Sequence, residues 1–286
     1  LILDNVYEGP ERFRILTAIG DVWADNDKNP HKAIEALEEA RELEPTNIPL
    51  LHKLLGLYQS TENWQRMIDT IQAIADLEKD GGRKAKFIYT IAQLYRDKAD
   101  DPDRAVELFN EALDLNPTLL EAFERINKIL TAKKDWKALE RAFRKMLRRM
   151  SAANAQNPEL EYQLWHNLGL IYRDRLADQK SAIESFKMAT RFRPDEAMER
   201  QILAELYEAT DQMEAAVGEH SIVLQKDPMR VDPYRALYKL HLKMHEYDRA
   251  WCMCAALAFL GKAAEEEQRC FEDYRPRGML EVKSRL

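Results

Sequence analysis

Apolar residues recur along this chain at intervals of three and four. Ala105, Leu108, Phe109 and Ala112 stand at i, i+3, i+4 and i+7, with mostly polar residues between them. That spacing lays one apolar stripe along an α-helix. No stretch sustains the alternation of apolar and polar residues, with β-branched enrichment, that marks a strand. The pattern predicts an all-α chain.

The stripes come in pairs. Trp165, Leu168, Gly169 and Tyr172 precede Ala182, Phe186 and Pro194. Ile88, Ile91, Ala92 and Tyr95 precede Ala105, Phe109, Ala112 and Pro117, and Leu16, Ile19, Gly20 and Trp23 precede Ala33, Leu37, Ala40 and Pro45. The interval from Ala to Pro is 12 residues in all three (33 to 45, 105 to 117, 182 to 194). Weaker copies fill the gaps. Leu51, Leu54, Leu55 and Tyr58 lead to Met67, Ile71 and Ile74, and Phe123, Ile126 and Leu130 lead to Leu139, Phe143 and Met146. Leu203, Ala204 and Tyr207 lead to Ala216, Val223 and Pro228, while Tyr234, Leu237 and His241 lead to Ala250, Cys254 and Leu257. Seven helical hairpins are expected, near 11–46, 47–80, 83–118, 119–150, 158–195, 196–229 and 230–261.

A finer rhythm lies on top. In the three strong copies the last first-helix anchor precedes the second helix's Ala by 10 residues (23 to 33, 95 to 105, 172 to 182). In the four weaker copies the interval is 9 (58 to 67, 130 to 139, 207 to 216, 241 to 250). Strong and weak hairpins alternate through the first five, as a duplicated two-hairpin unit would. Small residues (Gly20, Gly169, Ala33, Ala105, Ala182) let two backbones approach, and large ones (Trp23, Tyr95, Trp165, Tyr172) fill the space around them. A buried Trp165 would cost roughly 3–5 kcal/mol to truncate. Pro45, Pro117, Pro194 and Pro228 end second helices, because proline lacks the N–H and clashes with the preceding turn.

W-x2-L-G-x2-Y, then A-x3-F, then P, from Trp165 to Pro194, resembles the tetratricopeptide repeat, and the resemblance runs over roughly residues 11 to 260. It implies an α-solenoid: a right-handed superhelix of paired helices whose first helices line a concave groove. A polar helix over 263–275, with Glu265, Glu266 and Glu267 facing solvent, would cap the array or begin an eighth repeat. Family members commonly hold extended peptides, chain termini or helices in the groove and build multiprotein assemblies.

Projecting that groove onto first-helix positions facing away from the stripes gives Lys86, Tyr89, Gln93 and Arg96 in the third repeat. The fourth offers Glu121, Glu124 and Lys128, and the fifth offers Gln163, His166 and Arg173. Gln201, Glu205 and Glu208 follow in the sixth, then Arg235, Lys239 and Lys243 in the seventh. Mixed charge with a positive end suits a polar peptide with an acidic end. The Lys/Asn, Asn, Lys/Arg clamp by which some relatives hold chaperone C-termini is not reproduced in consecutive hairpins.

Composition narrows the function. The net charge of −7 disfavours nucleic acid, and RNA binding is the weakest of the readings because no base-reading side chain recurs along the groove. No apolar run reaches 18 residues, so no membrane span is expected. Cys252, Cys254 and Cys270 are too few for a disulfide framework, and a cytoplasmic setting follows as the expectation. The chain begins at Leu1 and is expected to be part of something longer. Asp80-Gly81-Gly82 and 151–158 are candidate breaks, the latter a hinge or a longer rigid turn.

Catalytic patterns are missing. Cys252-x-Cys254 has no second pair at zinc spacing, and His241 with His245 has no accompanying His-Glu-x-x-His motif. No phosphate loop or nucleophile elbow occurs, and Glu35, Glu38, Glu39 and Glu42 read as a solvated face. Lys137, Arg141, Arg144 and Arg148 form one basic stripe, either an exposed face or a docking strip for an acidic partner. No cofactor or metal is called for. The sequence thus predicts a non-catalytic scaffold that binds a protein or peptide. The alternative is the regulatory or substrate-recruiting region of a larger enzyme or of a peptide-responsive sensor.

Overall fold

Asparagine and aspartate set where most of the second helices begin. Asn29, Asn63, Asp101, Asp135 and Asp178 each accept the backbone N–H three residues on, closing a helix N-terminus. The computed structural model describes residues 9–25, 28–153 and 157–274. Among them are fifteen α-helices and no strand. Fourteen helices pair into hairpins, and the fifteenth follows the last. The fold is an all-α solenoid.

The chain divides into two compact units, Leu1–Gln156 and Asn157–Leu286. The first stacks four hairpins: α1 (Pro10–Asp25) with α2 (Pro30–Leu43), α3 (Ile48–Ser60) with α4 (Trp64–Leu77), α5 (Gly81–Asp97) with α6 (Pro102–Leu115), and α7 (Leu120–Lys133) with α8 (Trp136–Ala152). The second stacks three: α9 (Pro158–Ile171) with α10 (Gln179–Phe192), α11 (Ala197–Ala209) with α12 (Met213–Lys226), and α13 (Val231–Lys243) with α14 (Tyr247–Phe259), then α15 (Glu265–Asp273). The boundary falls within 151–158, of which residues 154–156 lie outside the described part.

Apolar cores form between successive hairpins. Leu16, Leu37, Ala40, Leu50, Leu54 and Tyr58 bury one in the first unit. Ala182, Phe186, Leu203, Ala204, Tyr207 and Ala216 belong to another in the second. Close approach is literal at two glycines. A Cβ on Gly20 would stand 2.5 Å from Leu37 Cγ, and one on Gly169 would stand 2.8 Å from the Phe186 ring. At the far end, Pro45, Pro117, Pro194 and Pro228 each follow a C-cap whose N–H bonds back to Ala40, Ala112, Ala189 or Val223.

The two anchor spacings have one cause. In every hairpin the N–H of the second helix's N-cap bonds to the carbonyl of the last first-helix anchor. Asn63 to Tyr58, Asp135 to Leu130, Gln212 to Tyr207 and Glu246 to His241 close over five residues, at 2.8–3.1 Å. Asn29 to Trp23, Asp101 to Tyr95 and Asp178 to Tyr172 close over six, at 2.9–3.0 Å. The extra residue widens the turn without breaking the bond, and in the fifth hairpin it gives a π-helical turn, Tyr172–Leu176. Tyr58, Leu130, Tyr207 and His241 are buried in the tight turns, whereas Trp23, Tyr95 and Tyr172 are only half-buried in the wide ones. Trp165 is also half-buried, so its expected full burial is corrected.

Candidate functional site

First helices present the projected groove positions, and their environments differ sharply. On α5, Lys86 is exposed and Tyr89 packs its ring 5.4 Å from Phe109 while its hydroxyl accepts from Gln93 Nε2 at 3.2 Å. Arg96 is folded onto its neighbour Asp97 through two bonds of 2.6 and 2.7 Å. Arg173 repeats this with Asp174, at 2.6 and 3.0 Å. Both guanidinium groups are therefore neutralised in place. Lys128 on α7 is exposed.

His166 is held inside the fold. Its Nδ1 lies 2.8 Å from Glu199 Oε1, the same oxygen that accepts the Tyr162 hydroxyl proton at 2.6 Å. Glu199 is fully buried, and among the described residues nothing hydrogen-bonds to its Oε2. Burial opposes ionisation of this carboxyl, but the bonds from His166 and Tyr162 outweigh it and hold Glu199 below the usual carboxylate range. Burial and the same carboxylate push the Tyr162 phenol up to about 12. Arg193, paired with Glu159, covers the Tyr162 ring at 4.2 Å. The cluster ties α9 to α11.

Between α11 and α13 lies a cleft of 310 Å³. Gln201, Glu205 and Glu208 form its α11 wall, and Ala236 and Lys239 stand on the α13 wall with Arg230 and Arg235. A 34-residue offset sets Gln201 level with Arg235 and Glu205 level with Lys239. His220 and Val223 from α12 make the floor. Arg235 is spent on α15: it donates to Glu267 Oε1 at 3.2 Å and to the Lys262 carbonyl at 2.9 Å. Glu267, expected to face solvent, is buried and caps α15 through the Ala264 N–H. Lys239 has no ion-pair partner among the described residues and stands exposed across from Glu205.

Five of the sixteen projected residues thus share one cleft: Gln201, Glu205, Glu208, Arg235 and Lys239. Tyr162, Glu199 and His220 were missed, although Glu199 stands four residues before Leu203, and His220 four after Ala216, in register with the apolar stripes. A polar residue at a stripe position was the available signal. Elsewhere, the stripe Lys137, Arg141, Arg144 and Arg148 is exposed, with Arg144 3.2 Å from Glu140. Cys252, Cys254 and Cys270 are free thiols, and no group of three metal-ligating residues assembles among the described residues. No described helix is long and apolar enough to cross a membrane.

The tetratricopeptide repeat family model matches residues 85–119 and 162–196, the α5–α6 and α9–α10 hairpins. These two hairpins are tetratricopeptide repeats. Lipopolysaccharide assembly protein B of Escherichia coli strain K12 is 26% identical to this repeat protein over 210 residues, which cover 71% of the chain and 50% of the relative. The chain therefore spans about half the length of the curated relatives it matches. Among solved structures, YrrB, described as a TPR protein with an unusual peptide-binding site, aligns over 66% of this chain and 92% of its own, with 16% identity and a TM-score of 0.41. The C-terminal part of a TPR repeat-containing protein from Cytophaga hutchinsonii aligns over 90% and 98%, with 13% identity and a TM-score of 0.43.

Proposed function

We propose that this chain is a non-catalytic interaction scaffold that holds a peptide or protein segment against its first-helix faces. The observation that carries this is the α11–α13 cleft, where Glu205 and Glu208 face Arg230, Asp232 and Lys239, with a Glu208–Lys243 pair at 3.9 Å across the seam. An extended segment presents amide N–H and carbonyl groups that both walls can address. Lys86, Lys128, Gln201, Glu205 and Lys239, all exposed, are the contact residues of this proposal. Tyr89, Gln93, Arg96, His166, Arg173 and Arg235 then shape the surface, since each is already bonded or packed within the fold. Free thiols suit a reducing, cytoplasmic setting, and the net charge of −7 suits a protein partner over nucleic acid. Capture of partners by the whole chain, compared with the triple variant Gln201→Ala, Glu205→Ala, Lys239→Ala, tests it. Loss of the captured protein with helicity intact is expected, and undiminished capture would refute the cleft.

A second reading is favoured by the match to lipopolysaccharide assembly protein B. It makes the chain the recruiting region of a longer protein engaged in the kind of assembly that name states. Complementation of a strain lacking that relative, by the chain alone and by the full-length gene, separates the two.

A further inference from the structure

The acidic side of the α11–α13 cleft is unfinished. Glu205 and Glu208 stand one turn apart on α11. Glu205 accepts one bond, from Gln201 Nε2 at 3.2 Å, and Glu208 keeps Oε2 3.9 Å from Lys243 Nζ, outside hydrogen-bond reach. Beneath them the His220 imidazole, 6% exposed, forms the floor. Its Nε2 has no hydrogen-bond partner among the described residues and lies 3.8 Å from Glu208 Oε1. Native folds rarely leave a buried polar atom unpaired without a use for it. Burial also pushes this imidazole below its usual range, so it puts no second cation beneath the two carboxylates.

A donor-rich cation completes this set. A guanidinium carries five N–H donors in a planar fork and can bond a carboxylate and a second acceptor together, whereas an ammonium is a point charge. The α13 wall does not compete for the same place. Arg235 is already paired with Glu267, and Lys239 and Arg230 stand across the cleft, where carbonyls or an acidic neighbour of the entering residue would meet them. We propose that the cleft is a subsite for an arginine side chain of the bound segment, with its guanidinium held by Glu205 and Glu208 above the His220 ring. The assignment rests on the groove reading above and adds the chemistry of the residue that enters.

The test uses the full chain with nitrogen-15-labelled histidine and N-acetyl-arginine methylamide as probe, with the lysine and glutamate analogues beside it. His220→Phe identifies the resonance. A saturable shift of the His220 ring nitrogens is expected with the arginine probe. The lysine analogue should bind several-fold more weakly, and the glutamate analogue should leave the signal unmoved. Glu205→Gln with Glu208→Gln, the first exposed and the second half-buried, should weaken the arginine response at least tenfold at unchanged helicity. A flat titration, or an equal response to the glutamate analogue, would overturn the subsite. Capture of arginine-free segments that still depends on Lys239 would sink the subsite and spare the groove. A His220 response to arginine, with capture indifferent to the cleft residues, would do the reverse.

Discussion

Gly169 carries no side chain because Phe186 fills the space that one would need. A Cβ there would meet Cε2 and Cζ of a fully buried ring at 2.8 Å. Alanine improves helix propensity by about 1 kcal/mol, but overpacking a rigid core costs about 1–3 kcal/mol. Gly169→Ala should therefore lower stability, read as a fall in the urea midpoint. Gly56, inside α3, is the counterpart: nothing lies within 4 Å of its added Cβ. Gly56→Ala should raise the midpoint by the equivalent of about 0.5–1 kcal/mol. Opposite signs at two helical glycines would separate packing from propensity, and equal signs would show that the ring can yield. Trp165→Ala, half-buried, should fall below the 3–5 kcal/mol of roughly full burial.

Each hairpin turn holds one strained residue at a fixed place. Lys28, Glu62, Asp100, Lys134, Ala177, Asp211 and His245 all have positive φ, between 49° and 59°, and each directly precedes the N-cap of its second helix. None is glycine, although a residue with a Cβ pays about 1–2 kcal/mol in the left-handed region. Ala177→Gly and Lys134→Gly should each stabilise the chain by about 0.5–1 kcal/mol, after the added freedom of the unfolded glycine. Thermal melts of the single variants check this, and a loss of stability would mean that the side chain is needed. Much of this element-scale design was legible. The intervals of 9 and 10 residues could be counted in the sequence, and they mark the tight and wide turns. What the count could not show is the shared N-cap-to-anchor bond that sets both, because it depends on where the chain turns back. The site was less legible. Glu199 meets His166 and Tyr162 from the preceding hairpin, 33 and 37 residues earlier, and no local period announces such a pairing. His166 and Arg235 were projected as groove residues on register alone, and both point into bonds within the fold.

Stability against acid is distributed unevenly over the whole molecule. Asp97 and Asp114 in the first unit stand below the ordinary carboxylate range, as do Glu159, Asp174, Asp178, Glu199 and Glu246 in the second. A carboxyl whose folded pKa lies below its unfolded value stabilises the fold above the unfolded value, about 4.3 for Glu, and that contribution fades as pH falls through the folded value. Pairs at the surface are screened and contribute little. Glu199 is different, being fully buried with its charge shared between His166 and Tyr162. Its protonation leaves the seam between α9 and α11 without its anion, so acid should loosen the second unit first. Hydrogen exchange at pH 7 and near pH 3 should show protection lost in 157–274 before 9–153. Glu199→Gln keeps an acceptor for Tyr162 but buries an unpaired amide donor, which costs about 1–3 kcal/mol at pH 7. The gap between this variant and the parent should narrow as pH falls below about 4.3, where the unfolded chain takes up the proton, and close through the folded carboxyl's own lower value. Parallel stability curves down to pH 3 would place the acid sensitivity elsewhere and reduce the Tyr162–Glu199–His166 cluster to ordinary packing.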